Sequence, residues 1–424
     1  MSSTPALARR LGTVDAVFIG LGSMIGAGIF ASFAPAAAAA GAGLLIGLAI
    51  AAVVAYCNAT SSAQLAAQYP TSGGTYVYGR ERLGEWPGFF AGWSFIIGKT
   101  ASCAAMALTF ASYAVPVEWE KPVAISAIVS LTAVNYFGVT RTAALTKIIV
   151  TLVLTALAVV VVVGLSGATP HTDNLGEGLF DHGWYGILQS AGLLFFAFAG
   201  YARIATMGEE VKEPRRVIPR AIIVALFIVF AVYLVIAVTT LVTVGPYQLA
   251  TSTAPLVDVV SSSGATWAFP IVTIGAAAAS LGALLALIAG IGRTSIAMAR
   301  SGDLPRFFSA VHPRYAVPHR AELTLAVIVS VIVLISDLRG AIGFSSFGVL
   351  LYYFIANVSA FTQDGEHRRY PRSFQVLGAL GCLVLVVALP LHSILMGLIV
   401  LAVGFGYRLI RLRIGALSAQ PPEV

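Results

Sequence analysis

Charge is what this sequence has least of. Asp, Glu, Lys and Arg make up 10% of its 424 residues, where a soluble domain carries roughly 25%. At the same time 58% of the residues are hydrophobic and the mean hydropathy is +0.90. That balance excludes a soluble globular protein and predicts a polytopic membrane protein. Cysteine is scarce as well. Cys57, Cys103 and Cys382 stand in apolar runs without CxxC or CxxH spacing, which supports neither a disulfide framework nor a metal site. The six histidines, His171, His182, His312, His319, His367 and His392, are scattered through loops and helix ends. With no reactive cluster of carboxylates or histidines, a membrane enzyme is not expected, and no cofactor is implied.

What the sequence does have is long uncharged runs. Runs of about 20 residues, enough to cross about 30 Å of hydrocarbon, can be placed twelve times: 13–38, 42–67, 88–115, 121–139, 143–165, 183–206, 220–245, 266–299, 321–338, 340–361, 373–390 and 392–412. The basic start MSSTPALARRLG leads into an apolar stretch that continues past Ala40, so we read a retained first span rather than a cleaved signal peptide. The net charge of +7 is a matter of topology. With the N-terminus inside, 20 of the 25 Lys and Arg, from Arg9 and Arg10 through Arg141 and Lys147 to Arg413, fall on the inner side. Only Lys121 and Arg339 fall outside, and Lys99, Arg203 and Arg293 lie within spans. This bias places both termini in the cytoplasm. It makes the lipid bilayer, not nucleic acid, the partner of the basic charge.

Two apolar segments are interrupted by glycine at corresponding places: GLGSMIGAGIF from Gly20 to Phe30, and FFAFAGYAR from Phe195 to Arg203. A break at mid-depth frees backbone N–H and C=O groups, which hydrocarbon tolerates only where they face a cavity, substrate or ion. That is the signature of a secondary transporter. Each interrupted span is followed by four more, which predicts a five-plus-five inverted arrangement. Repeat 1 would span about residues 13–165 and repeat 2 about 183–361, inside a transport core of 1–361. Spans eleven and twelve and a tail, 362–424, lie outside it. A channel would instead show polar or charged rings repeated by oligomerisation. The oligomeric state is left open.

The segments GLGSMIGAGIF, YPTSGGTYVYGRERLGEWPGFFAGW, FFAFAGYARIATMGEEVKEPRRVIPRAI and MARSGDLPRFF, in this order, resemble the amino acid–polyamine–organocation permeases. The resemblance implies the LeuT fold and a substrate class of amino acids or their decarboxylated amines. The physics of a helix break suits such a ligand, because one half offers free N–H groups and the other free carbonyls. The carboxylate would lie against the amides around Ser23, Met24, Ile25, Gly26 and Gly28. The ammonium would lie against carbonyls near Ile19 to Gly22 and at Phe198, Ala199 and Gly200. The plainer reading of Gly26 and Gly28 is close helix packing. By match to the family pattern, Phe196 is expected to close over the substrate from outside, and Phe198 with Tyr201 brackets the second break. Ordinary aromatic packing is the alternative for all three.

Intramembrane charge marks function by default. Lys99 is about 12 residues past Pro87, roughly 18 Å into the membrane by helical rise, and matches a polar residue near the substrate in some relatives, including the arginine/agmatine antiporter. It is the candidate for proton coupling. Arg203 either holds a substrate carboxylate or pairs with Glu209 or Glu210 in an inner closure. Arg293 is expected to snorkel or cap the inner end. The segment EEVKEPRRVIPR is a candidate for inner-gate ion pairs with Asp15 or with the loop carrying Arg80 and Arg82.

In the family, proton-coupled members place a lysine eighteen residues after the asparagine matching Asn135. This chain has Val153 there, which leaves exchange without a coupling ion, or coupling through Lys99. Sodium would need oxygens, and AAAASLGALLAL offers Ser280 alone. The presumed pocket lacks an acidic residue, so a neutral amino acid is the expected substrate. The cations Lys99 and Arg203 make an acidic one the alternative.

Overall fold

The computed structural model describes residues 11–70, 73–138, 143–167, 170–205, 207 and 210–418; at Ala27 and 414–418 it describes the backbone alone. Arg9, Arg10, Arg141 and Glu209, named above, lie outside the described residues. The chain is built of helices. In the first half these are α1 (Thr13–Met24), α2 (Ala27–Ala31), α3 (Phe33–Ala40), α4 (Leu44–Gln68), α5 (Thr75–Leu83), α6 (Glu85–Ala114), α7 (Glu120–Tyr136) and α8 (Ala143–Gly167). The second half holds α9 (Gly183–Phe198), α10 (Ala202–Ala205), α11 (Pro214–Val244), α12 (Pro246–Thr251), α13 (Pro255–Ser262), α14 (Phe269–Arg300), α15 (His319–Ile335), α16 (Leu338–Phe361), α17 (Arg372–Ala388) and α18 (Leu391–Ser418).

Among the described residues, 9 helical stretches are long and apolar enough to cross a membrane. The other three expected spans correspond to α7, α15 and α17, each of 17 residues, or about 26 Å by helical rise. Among them only α17 (Arg372–Ala388) matches the nine in apolar composition and differs by length alone. The expected first span, 13–38, is also divided. The helix stops at Met24, restarts at Ala27, and passes Ser32 into α3.

Local chemistry sets the boundaries. Proline lies in the first turn of α11, α12, α13 and α14, where its missing N–H costs nothing and its φ is already helical. Gly84, at φ 101°, turns the chain between α5 and α6, a conformation that a β-carbon disfavours.

The two interrupted spans sit in the middle of the bundle. The spans Thr13–Ala31 and Gly183–Ala205 are 71% and 78% buried, against 22% for Leu391–Arg413. Hydrocarbon satisfies no backbone group, so the irregular stretches have to be wrapped by other helices. α18 is on the outside and shows its apolar side chains to the surroundings.

Candidate functional site

The first break is an open one. α1 ends with Ile25 N–H donating to the Leu21 carbonyl at 2.7 Å, and Gly26 departs from helical backbone at φ −72°, ψ −145°. The second is tighter than a glycine-opened gap, because α9 passes through a 3₁₀ turn, Ala199–Tyr201, before α10. Such a turn changes the hydrogen-bond register and re-aims the carbonyls without leaving the helix axis.

The two breaks touch. A β-carbon on Gly200 would fall 2.6 Å from the Met24 nitrogen and closer still to the Ser23 carbonyl, and one on Gly28 would fall 2.6 Å from the Ala197 Cα. Only glycine permits backbone to approach backbone this way. Tyr233 of α11 clamps the crossing: its hydroxyl donates to the Met24 carbonyl at 2.6 Å and lies 3.0 Å from the Ala197 carbonyl, one from each break. The Ala199 carbonyl accepts from Lys99 Nζ and from the Tyr353 hydroxyl, both at 3.2 Å.

Beside this crossing lies a cavity of about 200 Å³, small against the 300–1,000 Å³ of pockets for drug-sized ligands. Of the sequence-read candidates, Ser23, Lys99, Phe196, Ala199, Gly200 and Arg203 line it. Met24, Ile25, Phe198 and Tyr201 are buried away from it in the core. Phe198 meets Tyr233 edge-on at 5.2 Å, and Tyr201 stacks on Tyr353 at 4.9 Å. Gly26 packs toward Ala283 and Met106, which themselves line the cavity. Gly28 is a close-approach position.

Arg293, read as a snorkelling or capping residue, lines the cavity instead, as do Glu210, Phe95, Ser102, Met106 and Thr294. The missed residues on α6 were available from helical spacing: Phe95, Ser102 and Met106 share one face with the predicted Lys99, at intervals of four, three and four. On α14, Ala283, Leu287, Gly290, Arg293 and Ala297 repeat the pattern. Glu322 of α15 is buried, with its Cγ against Gly292 beside Arg293. Val153, where a family lysine is expected, is a buried core residue.

Among the described residues, Asp15 pairs with Lys147 at 2.6 Å and Arg82 reaches Asp364 at 3.6 Å; Glu209 of the segment after α10 lies outside them. That segment is held by backbone: Leu11 N–H donates to the Glu210 carbonyl at 3.1 Å, and Lys212 N–H donates to the Leu11 carbonyl at 2.9 Å.

The motifs YPTSGGTYVYGRERLGEW and MARSGDLPRFF meet at a buried carboxylate. Asp303 accepts from Tyr76 at 2.8 Å and from Arg80 at 2.7 Å, and pairs with Arg408 of α18. Arg408 also faces Glu85 at 3.4 Å and lies over the rings of Trp86 and Phe89. Three donors to one buried carboxylate form charge-assisted bonds, and removing any one charged partner leaves a buried charge uncompensated.

A cavity where two interrupted helices meet, with the Ala199 carbonyl and the long cationic side chains of Lys99, Arg203 and Arg293 at its wall, can hold a small zwitterion. The comparisons agree with this chemistry. Residues 11–408 match the family model for amino acid permeases. The chain is similar to an uncharacterized transporter of Mycobacterium tuberculosis, 57% identical over 94% of this chain and 90% of that one. It resembles the branched-chain amino acid permease BcaP of Bacillus subtilis at 26% identity, over 95% and 93% of the two chains. The vacuolar cationic amino acid transporter 4 of Arabidopsis thaliana is 30% identical over 82% of this chain and 62% of its own. The relatives are transporters and not enzymes, and this chain belongs to the amino acid permease family of the amino acid–polyamine–organocation superfamily.

Proposed function

We propose that the protein is a plasma-membrane transporter that moves neutral amino acids by alternating access. Both termini are cytoplasmic, and residues 1–361 form a LeuT-type transport core of two inverted repeats. The observation that carries this reading is the small cavity at the contact of the two breaks, with Ser23, Ala199 and Gly200 supplying backbone on one side and Phe95, Met106, Phe196 and Leu287 supplying an apolar surface.

In this reading the substrate carboxylate rests at the first break, on the side where Ser23 lines the cavity next to the non-helical backbone of Gly26. Its ammonium rests on the carbonyls around Ala199, where it replaces the Lys99 ammonium now bonded there. The apolar surface takes the side chain, and Phe196 closes over it. A cationic side chain would meet Lys99, Arg203 and Arg293, all in the lining, so the cationic substrates in some relatives' names do not carry over. That same cluster, with Glu210 the carboxylate among the described residues of the lining, supports acidic amino acids as the second reading.

With Val153 in place of a lysine, transport proceeds by exchange, or takes its proton at Lys99. Uptake of labelled leucine and glutamate by the purified protein in liposomes decides between these readings. Leucine uptake that needs internal unlabelled leucine supports exchange, and uptake into empty vesicles that grows with an inward proton gradient supports coupling. Glutamate uptake exceeding that of leucine would replace the neutral reading by the acidic one, and uptake of neither would overturn both.

A further inference from the structure

A second cavity, of about 640 Å³, lies on the far side of the helices that wall the first. Thr100 and Ile291 line it, whereas their neighbours Lys99 and Gly290 line the substrate cavity. It follows one face of α15 from Ala321 through Thr324, Ile328 and Ile332 to Ile335. The fourteen steps from Ala321 to Ile335 rise about 21 Å, most of the thickness of a hydrocarbon core.

The two ends differ. At one, the lining ends in Leu304 and Phe308, and three arginines stand in or beside the segments that carry these residues and Ala321, just outside the lining itself. Arg306 stands between those two residues. Arg320 adjoins Ala321, with its guanidinium 5.0 Å from the Phe307 ring centroid. Arg411 donates to the Leu304 carbonyl and, at 2.9 Å, to the Tyr407 hydroxyl. The carboxylates nearby do not neutralise them, because Asp303 is turned to Arg80 and Arg408 and Glu322 is buried against Gly292. The other end, at Ser336, Gly340 and His392, has Arg339 with Asp337 two residues away.

We infer that this cavity is a binding site for an anionic phospholipid, with an acyl chain along α15 and the headgroup phosphate at Arg306, Arg320 and Arg411. The apolar lining alone selects nothing, because a lipid tail is as well solvated by the bilayer as by the protein. Selection comes from the basic rim, where each arginine attracts an anionic headgroup, and guanidinium pairs with phosphate in a two-point fork. The inference is independent of which amino acid is transported.

Lipid-stripped protein is mixed with equal phosphatidylglycerol and phosphatidylcholine and examined by native mass spectrometry. The wild type is expected to retain phosphatidylglycerol roughly tenfold over phosphatidylcholine, since two exposed arginines each contribute several-fold. The variant Arg306→Gln with Arg320→Gln should lose that preference, and Thr324→Trp, which fills the apolar channel at a half-buried position, should lose both lipids. Equal retention of the two lipids by the wild type, or an unchanged preference in the double variant, would overturn the site. So would a second copy of the chain cross-linked across this face in the lipid-stripped state. Native mass spectra of folded, monodisperse variants read binding directly, so a loss of transport does not confound the result.

Discussion

Gly200 lies against the backbone of Ser23, so near that no β-carbon fits between them. That contact joins the two halves of the chain at the cavity wall, 177 positions apart in sequence. Replacing Gly200 by Ala must push two backbones apart, and overpacking of this kind costs about 1–3 kcal/mol. The expected result is a lowered melting temperature and transport reduced by at least about tenfold. Gly406→Ala, at a helical glycine with open space around it, should melt like the wild type. If Gly200→Ala transports normally, the breaks are not in rigid contact.

Lys99 and the Ala199 carbonyl form the buried polar contact nearest the proposed ammonium site. Lys99→Met keeps the length and removes the charge, leaving the Tyr353 hydroxyl on that carbonyl. Affinity or proton response should change by about tenfold or more, read as concentration dependence of uptake with and without a pH gradient. Unchanged affinity together with unchanged gradient dependence would show that Lys99 is structural.

Tyr233→Phe deletes a hydroxyl that serves both breaks. Bonds between membrane helices average about 0.6 kcal/mol, and a buried carbonyl left without a donor costs about 1–3 kcal/mol. We expect a loss of about 1–2 kcal/mol in thermal stability, measured on the purified protein in one detergent. A neutral result would mean that water replaces the hydroxyl.

Asp303 is the hub of the buried charge cluster. Asp303→Asn leaves Arg80 and Arg408 short of a counter-charge, and breaking a buried pair from one side costs about 3–5 kcal/mol. Yield and melting temperature should fall sharply, and adding Arg408→Gln should recover part of the loss. A double-mutant cycle measures the coupling, and strictly additive losses would show that the two residues act separately.

The membrane class and the positions of the long helices could be read from the sequence because hydropathy and span length are local properties, fixed by about 20 consecutive residues. The two glycine-rich segments were equally legible, since glycine where a side chain would block an approach is a local signal. The α6 stripe of Phe95, Lys99, Ser102 and Met106 was also there to be found, because helical spacing alone places it on one face. What the sequence could not supply was partnership. Asp15 pairs with Lys147, and Asp303 gathers Tyr76, Arg80 and Arg408, because packing brings together segments separated by more than 100 residues. Arg293 was expected to snorkel or cap the inner end but lines the cavity, since an arginine's reach covers both. Which way α14 turns its faces is settled only by its neighbours α6 and α15. The amino acids of this chain determined on their own that it spans a membrane and where its helices break. The tertiary structure decided which broken backbone meets which, and so where a cavity is left, because that depends on contacts no single segment can make alone.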